Sequence, residues 1–173
     1  MIKRNIMTSP FVAILMGSDS DLPVMQATID ILKQFDITHE VRVRSAHRTP
    51  DAAKAYVKDA EERGCKVFIC AAGLAAHLAG AVAGMTTRPV IGVPVDCGPL
   101  QGHDALLSTV MMPGGIPVAT VAIGKAGAKN AGYLAAQILG VADQSMADKV
   151  KAERIANAKA LLAKDDAMQT KLS

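Results

Sequence analysis

Two short segments carry the side chains best suited to chemistry. In Ser45-Ala-His-Arg-Thr-Pro50 a histidine and an arginine stand side by side, just ahead of a proline able to open a helix. Imidazole exchanges a proton near neutral pH, and a guanidinium grips phosphate or carboxylate through paired N–H donors. His47 is therefore a candidate proton carrier and Arg48 a candidate anion ligand. The plainer alternative pairs Arg48 with a surface carboxylate and leaves His47 as a local cap. In Gly17-Ser-Asp-Ser-Asp21 the glycine permits a sharp exit from a strand, and two hydroxyls beside a helix N-terminus suit a phosphate. Carboxylates repel phosphate, so an aspartate here would instead take hydrogen bonds from ribose hydroxyls. The same residues also read simply as an N-cap cluster.

A third segment, Gly73 to Gly80, is Gly and Ala apart from Leu74, His77 and Leu78. Small residues let backbone N–H groups approach an anion, and they equally serve tight helix packing. His77 alone reads as a packed, hydrogen-bonded histidine, and His39 and His103 as structural or exposed. Neither the P-loop pattern nor G-x-G-x-x-G occurs, which weakens nucleoside triphosphate and NAD readings. Cys65, Cys70 and Cys97 form no C-x-x-C pair, so neither a metal site nor a disulfide framework is expected. Cys70 sits in an apolar run and reads as a buried small hydrophobe.

The bulk composition narrows the class. With 173 residues, half of them hydrophobic, the chain suits one α/β domain spanning 1–173. Aromatic content of 3% with no Trp leaves the core to Ala, Val, Ile, Leu and Met, and offers no stacking platform for single-stranded nucleic acid. The net charge of +3 is scattered, without the basic stripe of a nucleic-acid binder. Residues 1–10 lack the apolar core of a signal peptide, and no run reaches transmembrane length. A cytoplasmic protein with no membrane role is expected.

The candidate loops need a frame. Residues 11–16, 66–72, 89–95 and 117–123 are solidly apolar, the pattern of strands covered on both faces. Residues 39–45 interleave polar side chains and are expected nearer a sheet edge. Helices are expected over about 23–35, from Pro50 with Thr49 as N-cap and Gly64 as stop, and over about 75–85, 104–110 and 127–139. A separate helix over about 145–164, with a frayed end, forms a C-terminal extension (144–173) to a core of about 11–142. Its modest apolar face is expected to dock on a neighbouring subunit. Strand–helix alternation implies a parallel sheet with helices on both faces, and ligands bind outside the carboxyl ends of such strands. The loops 17–21, 46–49, 73–77 and 96–99 should therefore converge.

Taken together, M-G-S-D-S-D (16–21), S-A-H-R-T-P (45–50), A-A-H-L (75–78), D-A-L-L-S (104–108), M-P-G-G-I-P-V-A-T-V-A-I-G (112–124) and the A-A-Q-I-L of the last core helix resemble the N5-carboxyaminoimidazole ribonucleotide mutase family of purine biosynthesis. The resemblance covers about residues 11–142. It implies a flavodoxin-like three-layer αβα sandwich on a five-stranded parallel sheet, an octamer with sites at subunit junctions, and no metal or organic cofactor. It implies an isomerase that moves a carboxylate from the exocyclic nitrogen of a small-molecule ribonucleotide to its ring carbon. Carried over by position, His47 is the catalytic acid and base. Ser18, Ser45 and Arg48 lie near the phosphate, Asp21 reaches ribose, and the loop with Gly73, Ala75, Ala76, His77 and Leu78 closes over the substrate. Leu74, Ala79 and Met111 depart from the family pattern, where many relatives carry Gly, Pro and Gln. The rival readings are direct carboxylation by carbon dioxide, a non-catalytic flavodoxin-like binding protein, and a flavin binder.

Overall fold

The structure, a computed structural model, describes residues 10–172. Residues 1–9, where no signal-type core is expected, lie outside the described residues. The strands are β1 (Phe11–Met16), β2 (His39–Val43), β3 (Cys65–Ala72), β4 (Val90–Pro94) and β5 (Ala119–Thr120). They form a five-stranded sheet in the order β2-β1-β3-β4-β5, every neighbouring pair parallel. The polar-interleaved β2 lies at the edge, as its pattern predicts.

All six residues of β1 are buried, and alternation divides them between two cores. Val12, Ile14 and Met16 pack with α1 (Leu22–Gln34) and α5 (Gly124–Gly140). Phe11, Ala13 and Leu15 pack with α2 (Pro50–Glu62) and α3 (Leu78–Ala83). Each fully buried Leu or Ile contributes about 1.5–3 kcal/mol, so a solid apolar strand is worth most where both faces are covered. Helix α4 (His103–Val110) lies on the α3 side, and the Thr109 hydroxyl donates to the Ala105 carbonyl at 2.7 Å. The result is the flavodoxin-like three-layer sandwich with its strand order.

The small residues of α5 let it approach α1 closely. A Cβ at Gly132 would stand 2.8 Å from Ile31 Cβ, and the buried Thr28 hydroxyl donates to the Ala128 carbonyl at 2.6 Å. Helix α6 (Gln144–Leu172) packs its first turns on α5 and buries Val150; from Ile155 onward it is exposed.

Several elements differ from their sequence patterns. The fifth strand pairs only over Ala119–Thr120, and Ile116 and Pro117 are exposed. It has one neighbour, and Pro117 brings no N–H to a ladder. Helix α3 starts at Leu78 rather than 75: His77 N donates to Ala75 O at 2.9 Å, so residues 75–77 form a tight turn instead of a first helical turn. Residues 165–172 are helical, not frayed, with Gln169 donating to Asp165 and the Thr170 hydroxyl to Asp166 O, each one turn back. Thr49 occupies the N-cap position of α2 but its side chain caps nothing there. Its hydroxyl turns back to Ser45 instead, with consequences for the site.

Candidate active site

From β1 the chain goes to β2 on one side, and β3 returns on the other. The loops after these strands rise around the resulting crevice. In the first loop Gly17 N donates to Ala71 O at 2.9 Å, tying it to the end of β3. Ser18 N donates to Asp21 Oδ2 at 3.0 Å and Ser20 N to Ser18 Oγ at 3.3 Å, a reciprocal capping box over the 3-10 turn Asp19–Asp21. The cap reading of this segment is thus realised, and Ser18 and Asp21 face the crevice as well. Asp21 is only 5% exposed. Burial holds its carboxyl above the ordinary carboxylate range, against the opposing pull of the Ser18 and Gly17 N–H groups.

The second loop is knotted by its own hydroxyls. Ser45 N donates to Thr49 Oγ1 at 2.9 Å, Thr49 Oγ1 donates to Ser45 O at 3.2 Å, and Arg48 N donates to Ser45 Oγ at 3.1 Å. This fixes His47 and Arg48 at the mouth of α2. The Arg48 guanidinium donates to Gly17 O at 2.9 Å, joining the first two loops, and keeps further N–H donors for an anion.

The third loop supplies the partner for His47. His47 Nε2 and His77 Nδ1 are 2.8 Å apart, with the rings edge to face at 83°. One of these nitrogens bears the hydrogen; two imidazolium rings would set N–H against N–H. The pair therefore holds a proton on the line between the rings, and either neutral tautomers or a single shared charge satisfy it. At the start of this loop Gly73 is a steric necessity, since a Cβ there would fall 2.0 Å from Cys97 Sγ of the fourth loop.

Ser18, Asp21, Ser45, His47, Arg48, Gly73, Ala75, His77 and Leu78 all line one cavity of about 460 Å³, a size that suits a small molecule. The expected convergence of the loops is thus observed, and Cys97 brings in the fourth. Ala76 does not line the cavity: it is 1% exposed, and its carbonyl accepts the Thr109 hydroxyl at 3.4 Å. Leu74 and Cys97 line it without having been marked as ligands. The only sequence signal for Cys97 is its position just past the carboxyl end of a strand. His39 and His103 are structural, each ring resting on a local carbonyl, that of Ile37 at 2.8 Å and that of Leu100 at 2.9 Å. Cys70 is buried as its run predicts, and burial pushes its thiol up. Among the described residues no cluster of three or more His, Cys, Asp or Glu could hold a metal ion, and no helix is long and apolar enough to cross a membrane.

The chain is similar to known proteins along most of its length. A family model described as AIR carboxylase matches residues 11–160. A Thermotoga maritima protein named N5-carboxyaminoimidazole ribonucleotide mutase is 58% identical over 142 residues, which cover 82% of each chain. A Bacillus subtilis protein of the same name is 55% identical over 145 residues, 84% of this chain and 90% of that one. The crystal structure of Treponema denticola PurE superposes with a TM-score of 0.82 at 34% identity, covering 91% of this chain and 98% of the other. A family model over most of the chain and relatives more than half identical to it leave one conclusion: the chain belongs to the AIR carboxylase family.

Proposed function

We propose that this chain is an isomerase of de novo purine biosynthesis that converts N5-carboxyaminoimidazole ribonucleotide to 4-carboxy-5-aminoimidazole ribonucleotide, with His47 as general acid and base. The observation that carries this reading is the His47–His77 contact at 2.8 Å inside a cavity that Arg48 also lines. The names of the relatives support the substrate.

Arg48, Ser18 and Ser45 hold the phosphate, and the buried Asp21 carboxyl meets a ribose hydroxyl. In the bound substrate the carbamate C–N bond breaks. Its electron pair returns to the exocyclic nitrogen, which takes a proton, and carbon dioxide is released. The electron-rich ring carbon then attacks the carbon dioxide, and loss of the proton from that carbon restores aromaticity. One proton enters and one leaves, so a single imidazole completes the cycle unchanged. The contact to His77 orients the His47 ring and offers a path for the proton it takes up. Holding both fragments in one cavity replaces a bimolecular encounter with a local one. Neither a metal nor an organic cofactor enters this scheme, and the enzyme is cytoplasmic and octameric, with sites at subunit junctions.

Replacing His47 with Asn tests the assignment. Turnover should fall by at least about 10²–10⁴-fold, the usual worth of general acid–base catalysis, while the circular dichroism spectrum and Tm stay those of the parent. Retained turnover in a folded variant would remove His47 from the chemistry. The description of the matching family favours a second reading, direct carboxylation of aminoimidazole ribonucleotide. The two differ in their need for bicarbonate.

A further inference from the structure

Leucine is a poor occupant of left-handed backbone, since its Cβ crowds the carbonyl and its side chain offers no compensating local hydrogen bond. Leu74 nonetheless has φ +54°. Such a conformation persists only where the surroundings hold it. Leu74 is 52% exposed, so wholesale burial does not hold it. One contact does. A Cβ at Gly98 would come within 2.6 Å of Leu74 Cδ2, so the isobutyl group lies directly on the Gly98 backbone, a place open only because Gly98 has no side chain. The preceding residue makes the matching contact, Gly73 against Cys97 Sγ. Two consecutive residues of the third loop thus seat on two consecutive residues of the fourth.

Among the described residues, the last backbone hydrogen bond between the two segments is Val95 N to Ala72 O at 2.9 Å, before either loop begins. Beyond it, Gly73 lies against Cys97 and Leu74 against Gly98. The loop so held delivers His77 to His47, and Leu74, Ala75, Leu78 and Cys97 give the cavity apolar wall beside the two imidazoles.

We infer that Leu74 is a positioning residue: its side chain latches the third loop onto Gly98 and keeps carbon dioxide beside the ring carbon until the new bond forms. The inference rests on the proposed function and deepens it. Carbon dioxide is neutral and apolar, so apolar wall and a closed seam retain it where charged groups would not. If it escapes after the carbamate C–N bond has broken, aminoimidazole ribonucleotide and free carbon dioxide are the products in place of the carboxylated ring.

The test measures both ribonucleotide products from N5-carboxyaminoimidazole ribonucleotide on the full chain, after subtracting the enzyme-free breakdown. Leu74→Asn tolerates the left-handed backbone but loses the apolar reach; Leu74→Gly relieves the strain and also loses it; Leu74→Met keeps the reach. The ratio of decarboxylated to carboxylated product should rise about tenfold in the Asn and Gly variants, the scale set by losing part of one leucine's apolar contact, and stay near the parent's in the Met variant. An unchanged ratio in Asn and Gly overturns the latch. So does a rise in Gly alone, which would trace the effect to backbone freedom rather than to the side chain. Amide hydrogen exchange over residues 73–77 in the ligand-free protein gives an independent reading. Faster exchange in Leu74→Asn supports the latch even if no variant, parent included, isomerises the substrate, a result that would instead count against the mutase reading. Exchange equal to the parent's overturns it.

Discussion

His77 gains its meaning from a partner thirty positions away. With Nδ1 on His47, its removal should lower kcat about 10²-fold in His77→Ala and leave KM within a few-fold, because the proposed proton path is lost while the groups proposed to hold the phosphate stay. Steady-state kinetics decide this, and an unchanged kcat would make His77 a bystander. Gly73 is the second residue whose role is set by an approach across space. Gly73→Ala drives a Cβ to 2.0 Å from Cys97 Sγ and should displace the loop and abolish activity, whereas pairing it with Cys97→Ala should restore much of it, the next neighbours being 3.5 Å or more away. Failure of the second change to rescue the first would mean that Gly73 serves something other than clearance. These cases mark what the sequence could reveal of the site. That His47, Arg48, Ser18 and Asp21 share one cavity was legible because strand-end position already brings their loops together. Leu74 and Cys97 were not, because their roles come from two loops meeting, which no local pattern encodes.

At the scale of elements, β2 shows how an exposed edge strand is pinned. Glu40 accepts the Tyr56 hydroxyl at 2.9 Å and both arms of Arg63, so one carboxylate ties β2 to α2 and its C-terminal end. The Arg63 hydrogen bonds hold the Glu40 carboxyl below the ordinary range. A lowered carboxyl adds stability above its unfolded value and loses it as pH falls through the folded one. Glu40→Gln should therefore cost about 1 kcal/mol at pH 7, the group being partly open to solvent, and the difference from the parent should close as pH drops below about 4.3. Denaturant midpoints at pH 7 and pH 3 check it; a gap independent of pH would assign the loss to packing. The buried strands β1, β3 and β4 and the helices α1 and α2 were readable from hydrophobic pattern and Pro or Gly punctuation. β5 and the start of α3 were not. The apolar run at 117–123 signals coverage on two faces, and within one chain it finds much less. The Ala-rich stretch from 75 signals helix, and the tight turn over residues 75–77 delays it.

The whole molecule carries apolar surface that one chain does not cover. Leu107 and Met111, at 62% and 78% exposure, flank the thin β5 edge, and Ile155, Leu161, Leu162 and Met168 are exposed along α6. If the chain assembles as proposed, these exposed apolar side chains are where a further copy would sit. Truncation after Ala142 and, separately, Met111→Lys should each lower the mass measured by sedimentation below that of the parent. An unchanged mass in the truncated chain would take α6 out of the assembly.

The claim at the centre is that a carboxylate already on the substrate is moved and none is taken from solution. The most direct measurement incubates the full chain with N5-carboxyaminoimidazole ribonucleotide and with aminoimidazole ribonucleotide, each with and without bicarbonate, and follows 4-carboxy-5-aminoimidazole ribonucleotide. The account predicts rapid formation from the N5-carboxy compound with no bicarbonate present. Formation only from aminoimidazole ribonucleotide, and only with bicarbonate, would contradict it.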